Sequence, residues 1–79
     1  MIVRVKLYGT LRRLSQRGTP GRWQGEIDPG TRLIDLIQQI GSNEREVAAA
    51  TIDGTVQPLD TIIPDGVKEI VLVTPIGGG

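Results

Sequence analysis

Alternation of apolar and polar residues predicts a β-strand at the start of the chain. In the segment IVRVKLY, Val3, Val5 and Leu7 would face one side, and the intervening side chains would face the other. A polar, glycine-punctuated stretch follows and predicts irregular structure or a turn of helix. Residues 23–27, WQGEI, then alternate again. They predict a second strand, antiparallel to the first, that presents its tryptophan and isoleucine on one side.

After these two strands the apolar residues change from every second position to a helical spacing, which predicts the main helix. Thr31 is expected to be the N-cap, Asp35 lies where the helix dipole favours an anion, and Gly41 stands where a helix commonly ends. The apolar positions between them are spaced i, i+3, i+4 and i+7, which is a single stripe. They are Leu33, Leu36, Ile37 and Ile40.

The second half of the chain predicts short elements. Ser42 is expected to cap a short helix up to residue 48, and residues 49–52 predict a strand that ends at the Asp53-Gly54 turn. Two prolines leave room for only a short edge strand in residues 55–66. The apolar segment ending in VLVTP predicts a last strand in the interior of the sheet.

This order of elements predicts an α+β fold of the β-grasp, or ubiquitin-like, type. A mixed sheet of four to five strands wraps one main helix, and the first and last strands lie parallel in the middle. No internal repeat or second domain is apparent. The expected core is Val3, Val5, Leu7, Leu36, Ile37, Ile70 and Leu72.

Composition narrows the possible chemistry. The 79 residues include no cysteine and no histidine, which excludes disulfides, iron–sulfur clusters, typical zinc sites and thiol or imidazole catalysis. No nucleophile–base pair is visible, so we expect neither an enzyme in its own right nor a bound cofactor or metal. No apolar run is long enough to cross a membrane, and the first residues do not have the layout of a signal peptide. A soluble, cytoplasmic domain is expected.

The charges are segregated although they sum to zero. Residues 1–25 carry six basic side chains and no acidic one, whereas residues 26–79 carry nine acidic and three basic ones. Folding could bring the two sets together, or the arginines could bind RNA, with Arg12, Arg13 and Arg17 as candidates. No aromatic residues interleave with these arginines, so nucleic acid is an unlikely partner and solvated loop charges are the simpler interpretation.

The C-terminal sequence TPIGGG raises a functional question. Pro75 restricts Thr74 to extended conformations, and only glycine follows Ile76. We expect a β-grasp domain over residues 1–75 and a flexible glycine tail over residues 76–79. A segment without Cβ atoms could thread a narrow channel in a partner enzyme, although an inert tail would have the same sequence.

Several segments resemble the MoaD/ThiS family of ubiquitin-like sulfur carrier proteins. The branch most similar is the small subunit of molybdopterin synthase, through YGTLRRL near the start and LVTPIGGG at the end. The resemblance covers nearly the whole chain, in MIVRVKLYGTLRRL, PGTRLIDLI, ATIDG, IPDGVKEIVLVTP and the terminal GG.

This resemblance implies that the chain is a carried substrate. Gly79, paired with Gly78, would be adenylated and then thiocarboxylated, and Gly77 and Ile76 would line the approach through the partner. The implied partners are a ubiquitin-activating-type adenylating enzyme, a sulfur donor protein and the large subunit of molybdopterin synthase. The sulfur would serve the molybdenum or tungsten cofactor. Carriers for thiamine or tRNA thiolation, and protein modifiers, would look much the same.

A surface for docking these partners is expected beside the tail. If Ile70 and Leu72 face the core, then Val71 and Val73 point outwards and, with Pro75, form an apolar docking surface. Trp23 is more typical of a core filler than of a binding anchor. The aspartates of the two Asp-Gly pairs, Asp53 and Asp65, are interpreted as turn residues.

Overall fold

The structure of the chain is a computed structural model, and it describes residues 1–75. The expected tail, residues 76–79, lies outside the described residues. The described elements are β1 (Ile2–Leu7), a first 3-10 segment (Gly9–Leu14), β2 (Arg22–Glu26), α1 (Leu33–Ile40), a second 3-10 segment (Glu44–Glu46), β3 (Ala49–Ile52), β4 (Thr55–Gln57) and β5 (Ile70–Val73).

The five described strands form one mixed sheet in the order β2-β1-β5-β3-β4. The central pair, β1 and β5, runs parallel with Val5 opposite Ile70 and Leu7 opposite Leu72. The other neighbouring strands pair antiparallel. The predicted β-grasp fold is therefore confirmed, with five strands and with the last strand inside the sheet.

The core lies between one face of this sheet and α1. The inward positions of β1 and β5 are buried, and so is the whole apolar stripe of α1, as its spacing predicts. Burying a large aliphatic side chain stabilises a domain by about 1.5–3 kcal/mol, so these positions supply most of the driving force for folding. Every predicted core residue is at most 2% exposed: Val3, Val5, Leu7, Leu36, Ile37, Ile70 and Leu72.

The start of α1 differs from the prediction by one residue. Arg32, not Thr31, is the N-cap, and its backbone N–H donates to the Asp35 side chain at 3.0 Å. The first N–H groups of the helix donate to the carbonyls of Leu59 and Thr61, at 2.9 and 3.0 Å. Because the loop after β4 supplies these acceptors, the helix does not need a hydroxyl cap. Gly41 ends the helix in the left-handed region (φ 113°), as predicted.

The segment after α1 is shorter than the helix that the sequence suggested. Only Glu44–Glu46 form a 3-10 turn, and Asn43, rather than Ser42, caps it by accepting from the N–H of Arg45 at 2.9 Å. The hydroxyl of Ser42 instead donates to the carboxylate of Glu46. The turn begins one residue later than expected, so Asn43 occupies the N-cap position and the prediction of Ser42 as the cap was wrong.

The outer edge of β2 is covered by a side chain. The amide of Gln16 donates to the carbonyl of Gln24 at 2.7 Å and accepts from its N–H at 2.9 Å. These two bonds reproduce the pairing that a neighbouring strand would make. The backbone of the loop adds bonds from Gln16 to Arg22 and from Arg22 to Thr19, so the edge is closed along most of its length.

Asp53 does more than occupy a turn. It adopts a left-handed conformation (φ 48°), and one oxygen of its side chain accepts the N–H groups of Lys68 and Glu69 at 2.8 and 2.9 Å. The β3–β4 turn is thereby tied to the segment that leads into β5. Asp65 also lies in a turn, as predicted, and makes no comparable side-chain bond within residues 1–75.

We predict that Asp53→Gly, in which glycine tolerates the positive φ, lowers the free energy of unfolding by about 1–2 kcal/mol, because two N–H groups lose their acceptor. Asp65→Gly is the control and should change it by less than about 1 kcal/mol. Urea denaturation of both variants measures the difference. Equal effects would mean that the Asp53 bonds do not hold β5 in place.

Candidate functional site

The candidate site begins where β5 leaves the sheet. The carbonyl of Leu72 accepts from the N–H of Tyr8 at 3.2 Å, and the carbonyl of Val73 accepts from the N–H of Ala48 at 2.7 Å. The strand is therefore held from both sides up to its last residue. Thr74 and Pro75 continue beyond these bonds, so any function of the C-terminal residues starts from a fixed point.

Gly9 packs against the residue that follows β5. It has a positive φ of 61°, and a Cβ atom built on it would overlap the hydroxyl oxygen of Thr74 and lie 3.2 Å from the Thr74 Cβ. Only glycine lets the Thr74 side chain approach the backbone so closely here. The sequence pattern marks Gly9 as a strand end but gives no sign of its contact with Thr74.

A second contact joins the two segments that flank the exit of β5. The carboxylate of Glu46, in the second 3-10 segment, receives hydrogen bonds from Thr10 at 3.1 Å, from both terminal nitrogens of Arg13 and from Ser42. Thr10 and Arg13 belong to the first 3-10 segment. We call this set of four side chains the Glu46 cluster.

The Glu46 cluster gives Arg13 a partner that its interpretation as a solvated loop charge does not include. Arg13 is exposed, as are Arg12 and Arg17, but it also forms an ion pair with Glu46. The sequence separates Arg13 and Glu46 widely, so only the fold shows that they meet. This ion pair joins a basic residue of the first 25 residues to an acidic residue of the remainder. Arg22 and Glu69 form a second such pair, with their charged atoms 3.8 Å apart.

The cluster strongly favours the ionised carboxylate. Hydrogen bonding from Arg13, then from Ser42 and Thr10, lowers the pKa of Glu46 from 4.5 to about 2, although partial burial opposes this shift. The same contact raises the pKa of Arg13. The ion pair therefore stays charged at any pH near neutrality, and the two 3-10 segments remain joined.

The outer face of the sheet carries the predicted docking residues. Val71 and Val73 alternate with buried Ile70 and Leu72 and are half-buried, while Pro75 is exposed. Pairing places Val71 between Lys6 of β1 and Thr51 of β3. The outward direction of Val71 and Val73 is as predicted, and they lie on the strand that leads to the C-terminus.

Basic residues lie beside this apolar surface. Arg4 and Lys6 project from the outer face of β1, and Arg22 lies opposite Lys6 on β2. The Lys6 ammonium is 5.7 Å from the centre of the Tyr8 ring. The outer face thus combines an apolar part on β5 with a basic part on β1 and β2.

Trp23 lies on the helix side of the sheet and packs against the core. It is opposite Val5, and its ring covers Gly25, where a built Cβ would lie 2.8 Å from a ring carbon. Its position agrees with the expected filler role. Gly25 is required because a side chain there would displace the ring.

Metal ligands do not cluster within residues 1–75. In that range no three acidic, histidine or cysteine side chains are close enough together to hold an ion. No helix in the described part of the chain has the length and apolarity to cross a membrane. The residues predicted to be modified or to line the approach to the partner lie outside the described residues: Ile76, Gly77, Gly78 and Gly79.

Comparisons with known proteins agree with this architecture. The model of the ThiS family matches residues 5–79. The crystal structure of SAMP1 from Haloferax volcanii superposes with a TM-score of 0.69 at 17% identity, covering 100% of both chains. No curated protein matches the sequence at a significant level. The structural match supports the fold alone, whereas the family match extends to the last glycine.

We predict that Glu46→Gln lowers stability at neutral pH but not at very low pH. The pKa of Glu46 is lower in the folded protein, so its contribution is complete above about pH 4.5 and is lost as the pH falls towards about 2. Urea midpoints of the two proteins between pH 7 and pH 2 should therefore converge as the pH falls. A difference that stays constant to pH 2 would contradict the shifted pKa.

Proposed function

Because this chain belongs to the ThiS family of ubiquitin-like sulfur carriers, we propose that it delivers sulfur from Gly79 for molybdopterin biosynthesis in the cytoplasm. The observation that carries the proposal is the family match, which includes the three C-terminal glycines. The small-subunit branch of molybdopterin synthase is favoured by YGTLRRL and LVTPIGGG. The chain acts as a substrate that its partners modify and use.

The proposed chemistry begins at the terminal carboxylate, which is a poor electrophile because its charge repels nucleophiles. A carboxylate oxygen of Gly79 attacks the α-phosphorus of ATP, and pyrophosphate leaves. A sulfur nucleophile from a donor protein then attacks the carbonyl carbon, and AMP leaves with the carboxylate oxygen. The nucleophile is the outer sulfur of a persulfide on the donor, so the product is an acyl disulfide. A thiol reductant then attacks the donor's inner sulfur, forms a disulfide with it and releases a thiocarboxylate on Gly79. Attack of that sulfur on a pterin precursor forms a carbon–sulfur bond and a thioester, and water hydrolyses the thioester to return the carboxylate.

The C-terminal residues of this chain would position the reacting carboxylate and leave the partner's nucleotide and sulfur access to it. Gly79 and Gly78 would occupy the adenylating site, and Gly77 and Ile76 would line the approach to it. A terminal segment without side chains leaves room for the nucleotide and the attacking sulfur. The pairing of β5 with both neighbours supports this role, since it holds the start of the segment in place.

The outer face of the sheet would dock the partners. Val71, Val73 and Pro75 form the apolar surface next to the C-terminal segment, and its position would bring a docked partner close to Gly79. We propose that the adenylating enzyme and the large subunit of molybdopterin synthase use this surface in turn. Such sharing would keep the two partners from binding the same carrier molecule at once.

We predict that the intact mass of the protein rises by the replacement of one oxygen with sulfur. The incubation contains ATP, a sulfide source and the ubiquitin-activating-type enzyme of the same organism. The protein lacking Gly79 is the matched control and should show no gain. Mass spectrometry of both proteins measures the outcome.

No gain in the full chain, with an enzyme shown to be active on another carrier, would refute the carrier role. Gly79 linked to lysines of other proteins would instead indicate a protein modifier. Gain of sulfur without transfer to the large subunit of molybdopterin synthase would place the carrier in another thiolation pathway, such as that of thiamine or tRNA.

We predict that Val71→Asp raises the KM for adenylation roughly tenfold or more, because a charge would have to be buried in the docking surface. Ile62→Asp is the control, since Ile62 is 54% exposed and pairs with Arg32 beside the helix. Val71→Thr, which preserves the shape and strand propensity of valine, should have a smaller effect. Equal KM values for Val71→Asp and Ile62→Asp would rule out docking through Val71.

A further inference from the structure

Gly9 has an environment that its place in a turn does not require. Four other glycines with positive φ, at positions 18, 30, 54 and 66, have no atom within 4 Å of a built Cβ. At Gly9 the corresponding position is occupied by the side chain of Thr74, with its Cβ at 3.2 Å and its methyl carbon at 3.3 Å. Backbone conformation explains glycine at all five positions, but only at Gly9 does a neighbour also exclude a side chain.

Thr74 is a significant neighbour because of where it lies in the chain. It directly follows Val73, whose carbonyl makes the last bond of β5 to Ala48. It also precedes Pro75, which restricts its backbone to extended conformations. The contact with Gly9 therefore acts on the first residue beyond the sheet.

The Glu46 cluster holds Gly9 in place from the other side of the exit. Gly9 opens the first 3-10 segment, whose Thr10 and Arg13 are bound to Glu46 just before β3. Leu11 of the same segment is fully buried in the core. The backbone at Gly9 is thus anchored to both strands that flank β5, and it provides a fixed surface for Thr74.

We propose that Gly9 is a positioning residue that sets the direction in which the chain leaves β5. Its missing side chain lets Thr74 pack on the backbone, and this contact fixes the direction in which the chain passes from β5 into Pro75, the point from which a docked partner would receive the C-terminus. The effect of this contact on a partner enzyme rests on the proposed function. The contact itself can be tested on the protein alone.

The test compares Gly9→Ala with Gly66→Ala. Both glycines are exposed and have positive φ, at 61° and 78°, so both variants carry the same kind of backbone strain. Only Gly9→Ala also displaces Thr74. The double variant Gly9→Ala with Thr74→Gly removes the overlapping side chain, and Thr74→Gly alone provides its baseline.

The first measurement is amide hydrogen exchange in the protein alone. The N–H of Ala48 reports on the end of β5, because it donates to the carbonyl of Val73. We expect Gly9→Ala to speed its exchange by at least about tenfold relative to Gly66→Ala, and the double variant to exchange no faster than Thr74→Gly alone, because both substitutions remove one and the same contact. The N–H of Leu36, in the middle of α1, should exchange equally in both single variants.

The second measurement is the kinetics of adenylation by the same organism's enzyme. A misdirected terminus leaves Val71, in the middle of β5, in place on the docking surface, so we expect kcat for Gly9→Ala to fall about tenfold or more while KM changes less. Gly66→Ala should keep both parameters near those of the natural protein. A purely structural defect would follow the unfolding midpoints instead and would appear in both variants.

Equal exchange at Ala48 in Gly9→Ala and Gly66→Ala would overturn the inference, whatever the kinetics. If the natural protein is not adenylated at all, the proposed function fails, and the exchange comparison still decides whether Gly9 holds the end of β5. If Gly9→Ala does not fold, Thr74→Gly takes its place. It removes the same contact without adding an atom and should also speed exchange at Ala48.

Discussion

The parallel pairing of β1 with β5 is the constraint on which the rest of the structure depends. These strands come from opposite ends of the chain, so their pairing closes a loop that contains every other element. Each has its inner face buried against α1, with Val5 opposite Ile70 and Leu7 opposite Leu72. Closing such a long loop costs entropy, and burial of these aliphatic side chains offsets it. The same pairing brings the C-terminal segment to the middle of the sheet.

This central position explains why the exit of β5 can be fixed so well. A terminal strand at an edge would be held from one side and would fray. Here Tyr8 and Ala48 bond the strand from both sides, and Gly9 contacts the next residue. The Glu46 cluster then joins the segments that carry these neighbours. The fold thereby fixes the point at which the C-terminal segment begins.

Much of the fold could be predicted from the sequence, because apolar residues that face the core recur at the spacing of the strand or helix that contains them. The alternation in β1, the stripe of α1 and the seven core residues all follow from that rule. Local capping was predicted less well. Thr31 and Ser42 are suitable caps by composition, but the carbonyls of Leu59 and Thr61 and the carboxylate of Glu46 compete with those roles. The contacts of Arg13 with Glu46 and of Gly9 with Thr74 join residues far apart in the sequence, and no local pattern indicates them.

The side chain of Gln16 affects how copies of the protein can pair with one another. An open strand edge recruits further strands, and with them other copies of the chain. The amide of Gln16 occupies one edge of the sheet, and at the opposite edge β4 is only three residues long and is followed by Pro58. The glutamine that covers β2 thereby occupies backbone groups through which two copies of the chain could otherwise join edge to edge.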